Sequence, residues 1–401
     1  MGNKTTQILN KNFLERLSDS LENWNVLSED ERENLHKNIT SALELQNYPF
    51  FESDSKVVLV YNNSTKSVAL LSDITGWTEP IQFKKLKDIE FFYLSLQLEP
   101  DARIQYQLLV DGIVICDPSN KFKCLHGLGE MSEVAMPMYE RHPYLEEFLH
   151  GKHGSCDGLI KHVLPAGALP YEHEVHVCLP PNYNQNTKYP TIYFHDGLDY
   201  VRFGLAPYSI NRLIIEKEIE PCIAVFVTPP NLHQPVEPNR STEYGMNDDY
   251  VKFFCDELVP FIDKNFSTLQ IPRKRLIIGD SYAGLISLFI SFSRTDLFAN
   301  AYSQSAYFSF NNDKIIKLIN AQRKKPIKLF IDIGTYEEKV GADFLPASEL
   351  NFTNANRRMR DALQSKGYDF VYKEYHEGHT WGNWRRHLID ALKYFLGGEE
   401  N

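Results

Sequence analysis

The sequence predicts two domains: an all-β sandwich, then a larger α/β domain built on a mostly parallel sheet with helices on both faces. Three observations carry this. From Lys56 to about Asn120, short β-branched and aromatic runs follow one another with only turn residues between them, the spacing of an antiparallel sandwich. From about Gly158 onward, strand-like runs alternate with segments of helical periodicity, the pattern of a covered parallel sheet. Within that second region, residues 275–286 read as an apolar run, a turn of small residues and an apolar helix, with Ser281 at the turn.

Length and composition bound the reading. A chain of 401 residues exceeds one ordinary domain, and 43% hydrophobic with 24% charged residues is a globular composition. With 42 basic against 53 acidic residues and a net charge of −11, nucleic acid and anionic membrane are not expected partners. No apolar run is long enough to span a bilayer. The N-terminus lacks the apolar core of a secretory signal, although Met1-Gly2-Asn3-Lys4-Thr5-Thr6 fits the short myristoylation pattern. The six cysteines, Cys116, Cys124, Cys156, Cys178, Cys222 and Cys255, form no C-x-x-C pair. Reduced thiols and a cytoplasmic location are the expectation.

Taken in order, residues 1–50 are expected to be helical. Ser28-Glu29-Asp30-Glu31 is a capping box, and Leu35, Ile39 and Leu43 then recur on one face. Residues 51–140 form the sandwich, with strands at 57–61, 68–71, 91–96 and 104–110 and a tight hairpin at Asp111-Gly112. Residues 141–157, with Pro143, Gly151 and Gly154, read as a linker. Residues 158–401 are the α/β domain. Its strands are expected near 174–179, 189–194, 223–227, 276–279, 327–333 and 369–375, with a helix over 250–261. His173, His176 and Cys178 lack a third ligand at metal-site spacing, so strand residues are the better account and no metal is expected.

Thr75-Gly76-Trp77, Tyr106, Val110-Asp111-Gly112 and Asp117-Pro118-Ser119-Asn120 resemble the immunoglobulin-like early-set domain. That domain precedes the catalytic domains of glycogen-branching enzymes and enterochelin-esterase-like hydrolases. Met131 to Pro137 resembles the segment that follows it in those esterases. The resemblance offers Trp77 as a sugar-stacking residue; a buried or interface indole is the alternative.

A serine hydroxyl is a weak nucleophile until an imidazole takes its proton, and the imidazole needs an acceptor to fix its tautomer. A strand–turn–helix with serine at the apex lifts that hydroxyl above the sheet edge and aims the next amide, that of Tyr282, at a developing oxyanion. Beyond the strand ending at Ile333 come Glu337 and Glu338, with Asp343 in the same loop. Beyond the strand ending at Tyr375 come His376 and His379. Either histidine could be the base on position alone, and any of the three carboxylates the acid.

Tyr189-Pro190 through His195-Asp196-Gly197, Arg240-x-x-Glu243-Tyr244, the Gly279–Gly284 turn and Gly378-His379 through Trp384-Arg385 together resemble the putative-esterase family of α/β-hydrolases. That family includes enterochelin (siderophore) esterases, feruloyl and acetylxylan esterases, and S-formylglutathione hydrolase. The resemblance covers about residues 160–395. It implies an α/β-hydrolase domain and a serine esterase acting on a small-molecule ester without a cofactor. It implies Ser281 as nucleophile, His379 as base and Glu337 as acid, with Asp343 the fallback, and an oxyanion hole of the Tyr282 amide with Gly197 or Leu198. Arg240 and Trp381 would contact substrate; an ion pair with Glu243 is the structural alternative for Arg240. Ala283 replaces the usual second glycine of the turn, and Glu377-Gly378-His379-Thr380 departs from the common G-G-H-D. The two-domain layout points to the siderophore branch, with a feruloyl or acetylxylan esterase as runner-up. A glycan-binding protein on an inactive hydrolase scaffold is the reading from another class.

Overall fold

A computed structural model describes residues 14–127, 129–149, 158–231, 236–342 and 344–398. The chain separates into two compact units. The first comprises the described residues up to Glu140 together with His376–Gly378; the second comprises Arg141–Tyr375 and the chain from His379 onward.

The first unit opens with helices Leu17–Glu22 and Glu29–Glu44. At the second, the Ser28 hydroxyl accepts from the Glu31 amide while the Glu31 carboxylate accepts from the Ser28 amide, so two otherwise orphaned donors are satisfied. Leu35 and Ile39 bury as expected, with Ala42 beside them, while Leu43 is half-buried. Two antiparallel sheets follow. One runs Phe50–Ser53, Lys56–Tyr61, Phe92–Gln97, Lys84–Lys85; the other runs Ile81–Gln82, Val68–Ser72, Arg103–Val110, Gly129–Ala135, Lys123–His126. Asp111 and Gly112, with φ of 49° and 86°, turn Arg103–Val110 back onto Ile113–Ile115; both residues have the positive φ that a two-residue hairpin requires. The Met131 segment continues the sheet, pairing Ser132 with Tyr106 and Ala135 with Arg103. Trp77 is half-buried, and its indole donates to Asp73 Oδ1 at 3.1 Å.

His376–Gly378 is held within this unit. The Arg103 amide donates to the His376 carbonyl at 2.9 Å. The buried Arg103 guanidinium reaches Glu133 at 2.5 Å and Glu377 at 3.4 Å. A Cβ at Gly378 would stand 2.4 Å from that of Asp73.

In the second unit the strands are β1 (Ile160–Leu164), β2 (His173–Cys178), β3 (Thr191–Phe194), β4 (Ile223–Thr228), β5 (Arg275–Asp280), β6 (Asn300–Gln304), β7 (Lys328–Gly334) and β8 (Phe370–Tyr375). Their order is 1-2-4-3-5-6-7-8. From β4 through β8 neighbours are parallel, while β2 is antiparallel to both β1 and β4. This is the α/β-hydrolase fold. β3, β4 and β5 are buried along their whole length, which is why they read as near-continuous apolar runs.

Three features differ from expectation. β6, Asn-Ala-Tyr-Ser-Gln, is fully buried despite its polar residues. Its side chains are satisfied: Asn300 donates to the Arg273 carbonyl, Ser303 to that of Gly284 and Gln304 to that of Trp384, so burial costs little. Within the expected linker, Pro143–Leu149 is a helix, its proline at the helix start, where a missing N–H is harmless. The helix over 250–261 is α at Asp248–Lys252, widens to π geometry over Phe253–Leu258, and resumes as α over Val259–Asn265. Among the described residues no helix is long and apolar enough to cross a membrane.

Candidate active site

Four loops leave the carboxyl ends of β3, β5, β7 and β8, the edge where open parallel sheets bind ligands. Each brings one part of the site.

β5 runs directly into the helix Ser281–Ser293. Ser281 at the junction has φ of 53°, a left-handed conformation a non-glycine residue adopts only when its surroundings enforce it. The enforcement is visible. A Cβ at Gly279 would lie 2.2 Å from the Ala283 carbonyl oxygen, and one at Gly284 would lie 2.8 Å from the Ala306 Cβ. The turn therefore needs glycine at 279 and 284 and accepts a methyl group at 283, which accounts for the motif's departure. The Ser281 carbonyl accepts from the Tyr307 amide at 3.0 Å.

Glu337, three residues past β7, is fully buried. Its Oε1 accepts from the Gly334 amide at 2.9 Å and from the Ser305 hydroxyl at 2.6 Å. Its Oε2 meets His379 Nδ1 at 2.6 Å. The Ser305 oxygen in turn accepts from the Trp384 indole at 2.9 Å. The His379 ring sits edge-on to Phe352 and Trp384, at 5.2 and 4.9 Å between centroids. Phe352 stacks on Tyr307, whose amide holds Ser281. Among the described residues Ser281 Oγ makes no hydrogen bond to His379, a contact that in hydrolases often tightens only with substrate present.

The remaining expected residues divide. Glu338 is exposed, and Asp343 lies outside the described residues. His376 belongs with the first unit, its Nδ1 2.7 Å from Asp101 Oδ1. Tyr282 follows Ser281 on the helix, so its amide is one of that helix's unpaired first-turn donors. At the end of β3, Asp196 is also left-handed, with φ of 52°. A Cβ on Gly197 would stand 2.4 Å from the Phe226 backbone, and the Leu198 amide donates to Thr228 Oγ1 at 3.2 Å.

Trp381 is 6% exposed and packs edge-on against Tyr200 and Trp384. The structural alternative for Arg240 is corrected: Arg240 pairs with Asp196 and Asp280, not with Glu243, which bonds His173 and Tyr171. Sequence reasoning missed Ser305, which follows the polar strand β6 and left no hydropathy signal.

His195, at the end of β3, is a third histidine at this edge. Burial, and to a lesser extent the Arg240 charge, push its imidazole down to about 3. Its Nδ1 lies 2.8 Å from Ser287 Oγ. Among the described residues no carboxylate bonds it, as suits a neutral packing group.

Residues 166–395 match the family described as Putative esterase, and the chain belongs to that family. It is 30% identical over 223 residues to the uncharacterized protein YjcH of Bacillus subtilis, spanning 55% of this chain and 90% of that protein. Ferric enterobactin esterase of Salmonella typhimurium superposes with a TM-score of 0.71 at 14% identity, over 85% of this chain and 93% of its own. Enterobactin esterase of Shigella flexneri, solved in the presence of enterobactin, gives 0.67 at 15% identity, over 85% and 92%. At such identities the superpositions speak for the fold.

Proposed function

We propose that this protein is a serine esterase that hydrolyses carboxylic esters through an acyl-enzyme on Ser281. The observation that carries the reading is the Glu337–His379 pair, with the acid fully buried and His379 Nδ1 at 2.6 Å, in the loops that follow β7 and β8 at the same sheet edge as the Ser281 turn. A buried carboxylate at Nδ1 fixes the tautomer that leaves Nε2 as proton acceptor. Ser281 Oγ adds to the ester carbonyl as His379 takes its proton. The oxygen that becomes negative is met by the Tyr282 amide and one from Gly197 or Leu198. Because Leu198 donates to Thr228, that amide must exchange its partner for the substrate oxygen. The intermediate collapses, the C–O bond breaks, and His379 returns the proton to the departing alcohol. Water, deprotonated by the same imidazole, then releases the acid and regenerates the hydroxyl.

The substrate class follows the two-unit layout. The enterobactin esterases align with 85% of this chain, whereas a ferulic acid esterase aligns with 60%. The preferred substrates are accordingly siderophore-like esters such as catecholate trilactones. The test is Ser281→Ala: hydrolysis of a p-nitrophenyl acyl ester should fall by several orders of magnitude, and fluorophosphonate labelling of residue 281 should vanish. A variant keeping more than about a tenth of the wild-type rate would sink the nucleophile assignment. A panel of catecholate trilactones against feruloyl esters then decides the substrate class.

A further inference from the structure

Both halves of the proposed oxyanion hole hang on a left-handed residue: Asp196 before Gly197 and Leu198, and Ser281 before Tyr282. One guanidinium joins them. Arg240 Nε donates to the two Asp196 carboxylate oxygens at 2.9 and 2.7 Å, and Nη2 lies 2.6 Å from Oδ2. The same Nη2 donates to the Asp280 carbonyl at 3.1 Å, the peptide oxygen immediately before Ser281. Four residues on, the Tyr244 hydroxyl accepts from the Asp196 amide at 3.0 Å. The short helix Arg240–Tyr244 thus grips Asp196 by side chain and main chain while reaching across to the nucleophile turn.

The charges fit a structural tie. Asp196 is 2% exposed and Asp280 3% exposed. Burial, with Asp196 beside it, pushes the Asp280 carboxyl well above the ordinary range. Arg240 therefore answers chiefly Asp196, and a planar fork with several donors suits two carboxylate oxygens and a carbonyl at once, which an ammonium cannot match.

We infer that Arg240 is a positioning residue for catalysis: it sets the spacing between the Gly197/Leu198 amides and the Tyr282 amide, and does not itself bind substrate. This rests on the esterase reading above. An amide displaced from a developing oxyanion loses stabilisation that exists only in the transition state, so the loss falls on kcat.

The experiment compares Arg240→Lys with wild type on p-nitrophenyl acetate, butyrate and the anionic hemisuccinate. It adds inhibition by an alkyl trifluoromethyl ketone, whose adduct carries an oxyanion. Removing one oxyanion donor costs about 10²- to 10³-fold, and misplacing one should cost roughly 10- to 100-fold in kcat. The loss should be equal for neutral and anionic esters, with KM within about threefold and ketone affinity reduced in parallel. The double variant Asp196→Asn/Arg240→Gln removes the buried Asp196 charge together with that of its half-buried partner, so it remains informative if Arg240→Lys folds poorly. It should show the same kcat loss. A loss confined to the hemisuccinate and expressed in KM would make Arg240 a substrate contact and overturn the inference. So would kcat and ketone affinity unchanged in both variants while the wild type is active. A wild-type protein with neither turnover nor fluorophosphonate labelling overturns the esterase reading, and this inference with it.

Discussion

His376 and His379 stand three residues apart, and each presents Nδ1 to a carboxylate, at 2.7 Å to Asp101 and 2.6 Å to Glu337. By distance alone they are equivalent. They differ in what surrounds the acid. The Asp101 side chain is 57% exposed, whereas that of Glu337 is 0% exposed and its other oxygen is held by an amide and a hydroxyl. An ion pair in water contributes little and orients little; a buried, fully bonded carboxylate holds its imidazole in one place. The difference teaches that a pairing distance alone does not separate the two histidines, whereas the contacts around each acid do, and on the proposed function they favour His379 as the base.

The largest expected effect tests that contrast directly. His379→Ala should lower kcat on p-nitrophenyl butyrate by about 10⁴-fold or more, because nucleophile and base act as a unit. His376→Ala should stay within about twofold, as a surface pair allows. Reversed results would break the comparison and make His376 the base.

Next come the acids. Glu337→Gln keeps the shape and loses the charge that fixes and stabilises imidazolium, so kcat should fall by roughly 10²- to 10⁴-fold. Asp101→Asn should leave it within about twofold. Glu338→Gln and Asp343→Asn should be mild; a crippling Asp343→Asn beside a near-normal Glu337→Gln would move the acid to Asp343.

His195 sharpens the comparison from the other side, as a histidine buried with a hydroxyl partner and, among the described residues, no acid. Its folded-state value, about 3, lies below the unfolded value of about 6.5. The unfolded chain therefore takes up a proton first as pH falls. His195 contributes its full stability above about pH 6.5, and that contribution declines toward pH 3, by about 2 kcal/mol between pH 6.5 and 5. Urea denaturation at a series of pH values should show this slope. His195→Asn, which can still reach Ser287 Oγ, should remove it; an unchanged slope would place the titration elsewhere.

The sequence disclosed whatever depends on steric demand or apolar repetition. Gly279 betrayed the tight turn because strand and helix backbones nearly touch there, and β3, β4 and β5 betrayed the sheet by being apolar on both faces. It concealed whatever depends on polar groups satisfied over long separations. β6 looks like a loop until Asn300, Ser303 and Gln304 meet their acceptors. Glu377 looks like a departure from a motif until it is found buried beside Arg103, 274 residues away in sequence. Arg240 was legible as a candidate residue, but its partner was not, since Asp196 lies 44 positions upstream and Glu243 was nearer to hand. Among the carboxylates near Gly334, position offered three, and burial then distinguished Glu337 from Glu338.

The smallest expected effect concerns Ser305, which stands between Glu337 Oε1 and the Trp384 indole and has φ of 43°. Ser305→Ala removes the hydroxyl while Glu337 keeps the Gly334 amide and His379. A hydrogen bond to a charged group contributes about 1.5–3 kcal/mol. Part of the loss falls on stability, because the buried indole N–H is orphaned, and part on the orientation of Glu337. We therefore expect kcat to fall about 5- to 30-fold with KM unchanged, accompanied by a lower Tm. Ser305→Gly separates the hydroxyl from the backbone. Glycine adopts the left-handed conformation without strain, so if the hydroxyl is what matters, both variants lose the same activity and glycine merely recovers some Tm. If instead Ser305→Gly were as active as wild type and only Ser305→Ala impaired, the hydroxyl would be irrelevant to the acid. Glu337 would then owe its place to the Gly334 amide and its burial alone.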